Sequence, residues 1–254
     1  MTDDHALARD LAGEAGQRLL ELRARGGDSD VLRKAGDRLS HEFLMAELAA
    51  RRPGDVVLSE EGADNPARLG AKRVWIVDPL DGTREFGEPG RTDWAVHVAL
   101  WERNAASGAG RLTAGAVALP AQGQVLSTLD PSPASRDGDI GPIRVVVSRS
   151  RPPGFVWNIS DLLSAELVPL GSAGAKVAAV VRGEADAYVH GGGFYEWDTA
   201  APVAVARAAG LHASRIDGSA LAYNQRDLLM PDILVCRPAL AGSLLQAIRE
   251  VTHA

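Results

Sequence analysis

The chain has 254 residues, of which 46% are hydrophobic and 24% are charged, a composition that is ordinary for a globular protein. This length allows one large or two modest domains with a sizeable core. The formal net charge of −6 argues against a nucleic-acid-binding protein, because such a protein would carry a basic stripe or patch. A small anionic ligand stays compatible with this charge if local cations or metal ions offset it.

Cysteine content and the N-terminal sequence indicate the compartment. Cys236 is the only cysteine, so no intrachain disulfide forms, which fits a reducing environment. Its apolar surroundings, "DILVCRP", favour an inert buried thiol. The N-terminus "MTDDHALARD" lacks the basic and apolar order of a signal peptide, and no run approaches the ~18 apolar residues of a membrane span. We therefore expect a cytoplasmic protein without a membrane partner.

Residues 1–135 are predicted to form an α+β half of the molecule. Apolar residues at three- and four-residue spacing predict amphipathic helices over 7–22 and 39–48. Strands are predicted, in chain order, at 56–58, 74–77, 93–101, 112–120 and 124–129. The third strand alternates apolar side chains from Trp94 to Leu100, the pattern of a half-buried strand, and the last two are expected to be its antiparallel neighbours.

Residues 136–254 are predicted to form an α/β half, which begins within a stretch rich in Pro, Ser, Asp and Gly at 130–142. Strands and helices alternate after this point. The predicted strands are 143–148, 166–170, 185–190 and 232–236, and the predicted helices are 155–165, 174–183, 198–210 and 239–251. The two halves are expected to pack as layers of one body, with most candidate metal ligands in the first half.

Acidic side chains follow two of the predicted strands. The segment "VWIVDPLDGTREF" places Asp78 and Asp81 at the end of a buried strand, and Glu60 follows the strand before it. Asp37 and Asp198 stand where predicted helices begin. Each has an ordinary alternative, because Asp before Pro or Gly is a common turn residue, a strand-end Glu is commonly solvated, and Asp is a preferred helix N-cap. The five together require a common explanation.

A metal site explains this set of residues. Mg²⁺ prefers hard oxygen ligands and is commonly held by a few carboxylates, water and substrate phosphate. Two such ions that share a carboxylate activate water on one side and stabilise a leaving oxygen on the other. Gly82 and Thr83, which follow Asp81, fit a phosphate-binding helix start, where N–H groups and the helix dipole attract anions.

The acidic segments resemble the signature motifs of the inositol monophosphatase superfamily. The matching stretches are "EE" at 60–61, "DPLDGT" at 78–83 and "EWDTAAP" at 196–202. The resemblance covers nearly the whole chain and implies a lithium-sensitive phosphatase with a layered αβαβα fold and two or three Mg²⁺ ions. It assigns Glu60, Asp78 and the Leu80 carbonyl to one ion, and Asp78, Asp81 and Asp198 to the second.

The resemblance also implies roles in catalysis and substrate binding. Thr83, hydrogen-bonded to Asp37, would orient the attacking water, with Glu60 as a further catalytic residue. Backbone N–H groups of Gly82 and Thr83 would bind the phosphate beside Asp81. The remaining substrate contacts that it implies are Arg84, Ser172, Lys176 and Glu196.

Within the superfamily, the basic residue of "DGTREF" is similar to the residue at this point of the 3'(2'),5'-bisphosphate nucleotidases. The segments "VSRSRPP" and "GSAGAK" resemble the actinobacterial form of these enzymes. These enzymes remove the 3'-phosphate of 3'-phosphoadenosine 5'-phosphate, giving AMP, in sulfate assimilation and sulfation. A substrate with a second phosphate requires a cation near the metal site. The candidates are Arg84, Arg149, Arg151 and Lys176. The small residues Gly171 and Gly174 stand at a predicted helix start, where they either serve plain capping or let a ribose or phosphate approach the backbone.

Several alternatives remain. The same site fits a phosphatase for inositol phosphates or fructose 1,6-bisphosphate, and the fold also fits a non-catalytic module that senses phosphorylated ligands. The complete acidic set with Thr83 favours an enzyme. A haloacid-dehalogenase-type phosphatase is disfavoured because its aspartates lie two residues apart, and a calcium-binding loop because "DPLDGT" lacks its alternating ligands. The resemblance further suggests a homodimer.

Overall fold

The computed structural model describes residues 3–104, 106, 108–131 and 141–252. The helices are α1 (Asp4–Ala24), α2 (Ser29–Arg51), α3 (Thr83–Gly87), α4 (Phe155–Leu163), α5 (Ala173–Val181), α6 (Glu196–Ala208) and α7 (Pro238–Thr252). The strands are β1 (Val56–Ser59), β2 (Arg73–Asp81), β3 (Ala95–Arg103), β4 (Gly110–Leu119), β5 (Gln124–Ser127), β6 (Arg144–Ser148), β7 (Glu166–Leu170), β8 (Ala187–His190), β9 (Phe194–Tyr195), β10 (His212–Ser214), β11 (Leu229–Met230) and β12 (Ile233–Cys236). Among these residues, no helix combines the length and the apolar character that a bilayer crossing requires.

The first sheet contains β1 to β5 in chain order, with β1 parallel to β2 and the other neighbours antiparallel. Successive side chains of a strand point to opposite faces. Val74 and Ile76 of β2 therefore pack with residues of α5 and α6, whereas Trp75 and Val77 pack with residues of α1 and α2. Helices thus cover both faces of this sheet.

The second sheet has the strand order β10-β12-β8-β6-β7. Strand β6 is parallel to β7 and β8, and β12 is antiparallel to β8 and β10. Its outer face packs against α4 and α7, and its inner face packs against α5 and α6. The layers therefore follow the order αβαβα that was expected, and β9 and β11 form a separate two-stranded ribbon.

The structure confirms the predicted helices and strands and corrects several details. Strand β3 is buried on both faces rather than half-buried. Its second face, formed by Ala95, His97 and Ala99, is covered by helices α5 and α6 within the core. Helix α2 begins at Ser29 with Asp28 as its N-cap, so Asp37 lies inside the helix and is not its cap. Elements β9, β10 and β11 were not predicted, and of α3 only its start at Gly82 and Thr83 was expected. The expected boundary between 135 and 136 lies outside the described residues.

Candidate active site

Four acidic side chains converge at the ends of β1, β2 and the first turn of α6. Asp78 and Asp81 belong to the end of β2, where the register with β3 shifts. One carboxylate oxygen from each of Asp78, Asp81 and Asp198 lies within 4.8 Å of an oxygen from each of the other two. Glu60 directly follows β1, close enough to Asp78 for its charge to raise the pKa of that carboxyl. The structure therefore brings the four predicted carboxylate ligands together.

The cluster contains more negative charge than its surroundings offset. Burial, then the charges of Glu60 and Asp81, raise the pKa of Asp78 well above its usual range. Burial and the charge of Asp198 raise the pKa of Glu60 to about 7, and burial and the charge of Asp81 raise the pKa of Asp198 to about 6. Bringing like charges together in this way is unfavourable without a cation.

One oxygen of Asp78 supports the same conclusion. Its Oδ1 accepts a hydrogen bond from the N–H of Leu80 at 3.0 Å, but no described residue donates to its buried Oδ2. A buried carboxylate oxygen without a donor is costly. A hard cation would satisfy this oxygen and neutralise the cluster, so the residues fit a Mg²⁺ site.

A hydroxyl and a carboxylate lie next to the cluster. Oγ1 of Thr83 lies 3.3 Å from Oδ1 of Asp37 and 3.0 Å from the carbonyl oxygen of Leu80. A hydroxyl has one proton, so Thr83 donates to one of these acceptors at a time. Burial, followed by the charge of Glu61, raises the pKa of Asp37 to about 6, although the bond from Thr83 favours its ionised form. Helices α2 and α3 thus hold the predicted pair in contact.

Asp81 is fixed by contacts from two other elements, the start of α5 and strand β3. Its Oδ2 accepts hydrogen bonds from the hydroxyl of Ser172 and from the N–H of Gly174, the latter at 2.7 Å. Nε2 of His97 lies 3.2 Å from the same oxygen. Burial raises the pKa of Asp81, but the charges of His97 and Lys176 and the bond from Ser172 outweigh burial, so the pKa is lowered. All these contacts involve Oδ2, and Oδ1 remains for a cation.

The two glycines at the start of α5, Gly171 just before the helix and Gly174 in its first turn, lie against protein side chains. A Cβ on Gly171 would lie 2.4 Å from the Glu85 side chain, and a Cβ on Gly174 would lie 2.2 Å from Nε2 of His97. Both distances are far too short for a side chain to be tolerated without movement. These glycines make room for Glu85 and His97. Because Gly171 also lines a cavity beside the carboxylates, ligand access to the backbone stays a prediction for these two glycines.

A cavity of about 440 Å³ opens beside the carboxylates. Its wall includes seven of the predicted site residues: Asp81, Gly82, Thr83, Arg84, Ser172, Lys176 and Asp198. Gly82 and Thr83 lie at the start of α3, where N–H groups have no acceptor within the helix. A phosphate beside the metal cluster would therefore meet backbone donors.

The arginines near the cavity differ in their contacts. The Arg149 guanidinium donates to Glu85 at 2.6 Å and to Glu88 at 2.9 Å, so it is already paired. Arg84 and Arg151 line the cavity, and neither guanidinium makes a hydrogen bond or an ion pair with any residue that the structure describes. Of the predicted arginines, these two are available to a second phosphate.

Lys176 lines the cavity but is buried and bonded to the backbone. Its Nζ donates to the carbonyl oxygens of Gly171 at 3.0 Å and Ser172 at 2.7 Å, and lies 5.4 Å from the centre of the Tyr188 ring. Burial lowers its pKa to about 8, although Asp81 and other nearby carboxylates oppose this shift. Two of the three ammonium donors are thus used within the protein.

Glu196 does not line the cavity. It is fully buried, and its two oxygens accept hydrogen bonds from the backbone N–H groups of Asn224 at 2.6 Å and Gln225 at 2.7 Å. Burial raises its pKa to about 7. These contacts join the start of α6 to the segment that precedes β11. The expected substrate contact of Glu196 is therefore corrected to a structural contact that holds the helix carrying Asp198.

Comparison with known proteins identifies the family. The family model described as "Inositol monophosphatase family" matches residues 4–253. The chain belongs to the inositol monophosphatase family. It is 52% identical to the 3'-phosphoadenosine 5'-phosphate phosphatase of Mycobacterium leprae (strain TN), over 98% of this chain and 94% of the relative. It is 30% identical to the 3'(2'),5'-bisphosphate nucleotidase CysQ of Escherichia coli (strain K12), over 85% of this chain and 92% of the relative.

A solved structure of the inositol monophosphatase family has the same fold. The crystal structure of CysQ from Bacteroides thetaiotaomicron matches with a TM-score of 0.76 and 28% identity, and covers 92% of this chain and 97% of that chain. The layered fold expected from the sequence is confirmed by this similarity.

Two polar residues of the site were missed in the sequence. His97 looked like an ordinary strand residue, although it contacts Asp81. Asp93 precedes β3, and its Oδ2 accepts a hydrogen bond from the N–H of Gly171 at 2.6 Å. The signal that could have found His97 is a polar side chain in an otherwise apolar strand, at a position facing the core.

Proposed function

We propose that this member of the inositol monophosphatase family is a Mg²⁺-dependent phosphomonoesterase that converts 3'-phosphoadenosine 5'-phosphate to AMP and phosphate. One observation supports this most strongly: a carboxylate cluster adjoins a cavity that two arginines also line, and neither these guanidinium groups nor one buried oxygen of the cluster has a partner among the described residues. The name of the Mycobacterium leprae relative, 52% identical over almost the whole chain, states the same substrate. Sulfur assimilation and sulfation metabolism are the setting that we propose for it.

The acidic cluster would hold the metal. In this proposal Mg²⁺ is bound by the carboxylates of Glu60, Asp78, Asp81 and Asp198 and by the carbonyl oxygen of Leu80. Bound Mg²⁺ would supply the positive charge that polarises the phosphate and lowers the pKa of a water molecule. Two or three ions are expected.

The residues beside the cluster would position the reactants. The Thr83 hydroxyl donates to Asp37 and accepts a hydrogen bond from the attacking water, which fixes the direction of its lone pair. Backbone N–H groups of Gly82 and Thr83 bind oxygens of the 3'-phosphate. Asp81 is held through Oδ2, so its other oxygen would be left to bind the metal. Ser172 thus contributes by holding Asp81 at the cavity wall.

The cations of the cavity would select the substrate. A second phosphate adds negative charge to a site that is already acidic, so it requires a local cation. Arg84 and Arg151 would bind the 5'-phosphate through charge-assisted hydrogen bonds. Lys176 would add positive charge from behind the turn that carries Ser172.

A phosphate-release panel tests this proposal. Purified protein with Mg²⁺ is offered 3'-phosphoadenosine 5'-phosphate, inositol 1-phosphate and fructose 1,6-bisphosphate, and kcat/KM is measured for each. We expect the highest value for the nucleotide. Preference for either sugar phosphate would favour the sugar-phosphatase alternative, and no release from any substrate would favour a phosphate-sensing module.

Three features remain predictions, two of them implied by the family resemblance and one, the location, by the cysteine content and the N-terminal sequence. They are inhibition by Li⁺, a cytoplasmic location and a homodimer. Inhibition assays, cell fractionation and light scattering on the purified protein test them in turn.

A further inference from the structure

His97 is a fully buried histidine that touches two parts of the proposed metal centre. It lies in the middle of β3, with no exposed surface. Its Nδ1 lies 3.2 Å from the carbonyl oxygen of Trp197, the residue that precedes Asp198 in the first turn of α6. Its Nε2 lies 3.2 Å from Oδ2 of Asp81 at the end of β2. The ring therefore connects the two segments that supply Asp81 and Asp198.

A glycine in the first turn of α5 leaves the space that the His97 ring occupies. A Cβ on Gly174 would lie 2.2 Å from Nε2, so the first turn of α5 requires glycine where the imidazole packs. The N–H of the same glycine donates to Oδ2 of Asp81. An apolar side chain would also fill this position in the core between the two sheets, but it would make neither of the two polar contacts of His97. The carbonyl and the carboxylate are both hydrogen-bond acceptors. A neutral imidazole has a single N–H and donates to one of them, whereas the imidazolium has a donor for each.

We propose that His97 is a positioning residue of the metal centre: it fixes the Asp81 carboxylate and the first turn of α6, and thereby sets the affinity for the divalent ion. This inference rests on the metal site of the proposed function. A carboxylate free to rotate about its side-chain torsions would lose orientational entropy on binding the ion, whereas a fixed one does not. Partners of this kind typically contribute 10- to 100-fold to metal affinity.

Binding of Mn²⁺ to the metal-free protein tests the proposal without an activity measurement. Calorimetry or electron paramagnetic resonance gives the Mn²⁺ Kd for the wild type and for His97→Leu. Leucine still fills the space in the core but makes neither the contact with the Trp197 carbonyl nor the contact with Asp81. We expect Kd to rise about 10- to 100-fold in His97→Leu. His97→Gln, whose amide still donates a hydrogen bond, is expected to recover part of this loss.

Val117→Ala is the matched control for damage to the core. Val117 faces His97 across β3 and β4, is buried, and also packs against Gly174, but it makes no polar contact with Asp81. We expect Val117→Ala to lower Tm while its Mn²⁺ Kd stays within about threefold of wild type. An equal loss of affinity in Val117→Ala and His97→Leu would show that loosened packing is responsible, and would overturn the proposal.

Gly174→Ala gives a second approach if His97→Leu folds poorly. The added methyl would displace the imidazole, so Kd should rise, and it should rise much less when His97 has already been replaced by Ala. Equal effects in both backgrounds, or an unchanged Kd in His97→Leu, would contradict the role of His97. A wild-type protein that binds no Mn²⁺ would instead contradict the metal centre itself, so the two failures are distinguishable.

Discussion

Arg151→Ala and Arg84→Ala should weaken selection of the bisphosphate nucleotide. Both arginines line the cavity, and neither guanidinium is compensated by a carboxylate among the described residues. Each is therefore free to bind the 5'-phosphate of the substrate. Removing either cation would leave that phosphate facing an acidic site with one charge-assisted contact fewer.

The magnitude follows from the type of contact. A hydrogen bond to a charged group contributes about 1.5–3 kcal/mol, which corresponds to a fall of roughly 10- to 150-fold in kcat/KM. Because neither guanidinium is paired with a carboxylate of the described residues, neither substitution leaves one of these carboxylates without its partner. Adenosine 3'-phosphate lacks the 5'-phosphate, so its kcat/KM should change by less than about threefold.

The assay compares kcat/KM for 3'-phosphoadenosine 5'-phosphate and adenosine 3'-phosphate in the wild type and each variant. Arg182→Ala is the control for overall charge, because Arg182 is paired with Glu184 at 2.7 Å and does not line this cavity. It should leave both values unchanged. Equal losses on the two substrates, or no loss from either cavity variant, would refute the reasoning about the second phosphate.

Three further predictions concern residues around the cluster. Thr83→Ala should lower kcat by about 10²-fold or more with little change in KM, measured by phosphate release, and a normal kcat would contradict its role in orienting water. Asp37→Asn should raise the free energy of unfolding of the metal-free protein at pH 7, because its raised folded pKa makes the ionised form unfavourable. The shift from 3.8 to about 6 sets a limit of about 3 kcal/mol, reduced by solvent screening to about 1–2 kcal/mol. This gain should shrink as pH falls from 6 towards 4, whereas denaturation showing a loss of stability at pH 7 would contradict it. Glu196→Gln should lower the free energy of unfolding by about 1–3 kcal/mol, because one of two buried N–H groups loses its acceptor, and unchanged urea denaturation would argue against this contact.

The sequence was informative where local pattern and chemistry coincide. Asp78 and Asp81 follow a β-prone run and are followed by a glycine, so their place at a strand end could be predicted. Asp198 was expected to open a helix, and it lies in the first turn of α6 and joins the cluster. Spacing and motif therefore predicted which carboxylates meet.

Long-range contacts could not be predicted in the same way. Arg84, Arg149 and Arg151 look equivalent in the sequence, and only the fold shows that Glu85 and Glu88 pair with Arg149. Gly171 and Gly174 looked like capping residues or space for a ligand, because the side chains that lie against them are distant in sequence. The sequence pattern reports residue type and spacing, whereas the tertiary partners of a side chain decide whether it is free to bind a ligand.

The most direct test is phosphorus NMR of 3'-phosphoadenosine 5'-phosphate with metal-free protein, recorded as Mg²⁺ is added. The account predicts no reaction without Mg²⁺ and the appearance of AMP and phosphate as Mg²⁺ rises. Asp78→Asn, which removes a charge from the carboxylate with the unpaired buried oxygen, should stay inactive at every Mg²⁺ concentration while remaining folded by circular dichroism. Release of the 5'-phosphate instead, turnover without a divalent ion, or near-normal turnover by folded Asp78→Asn would contradict the account.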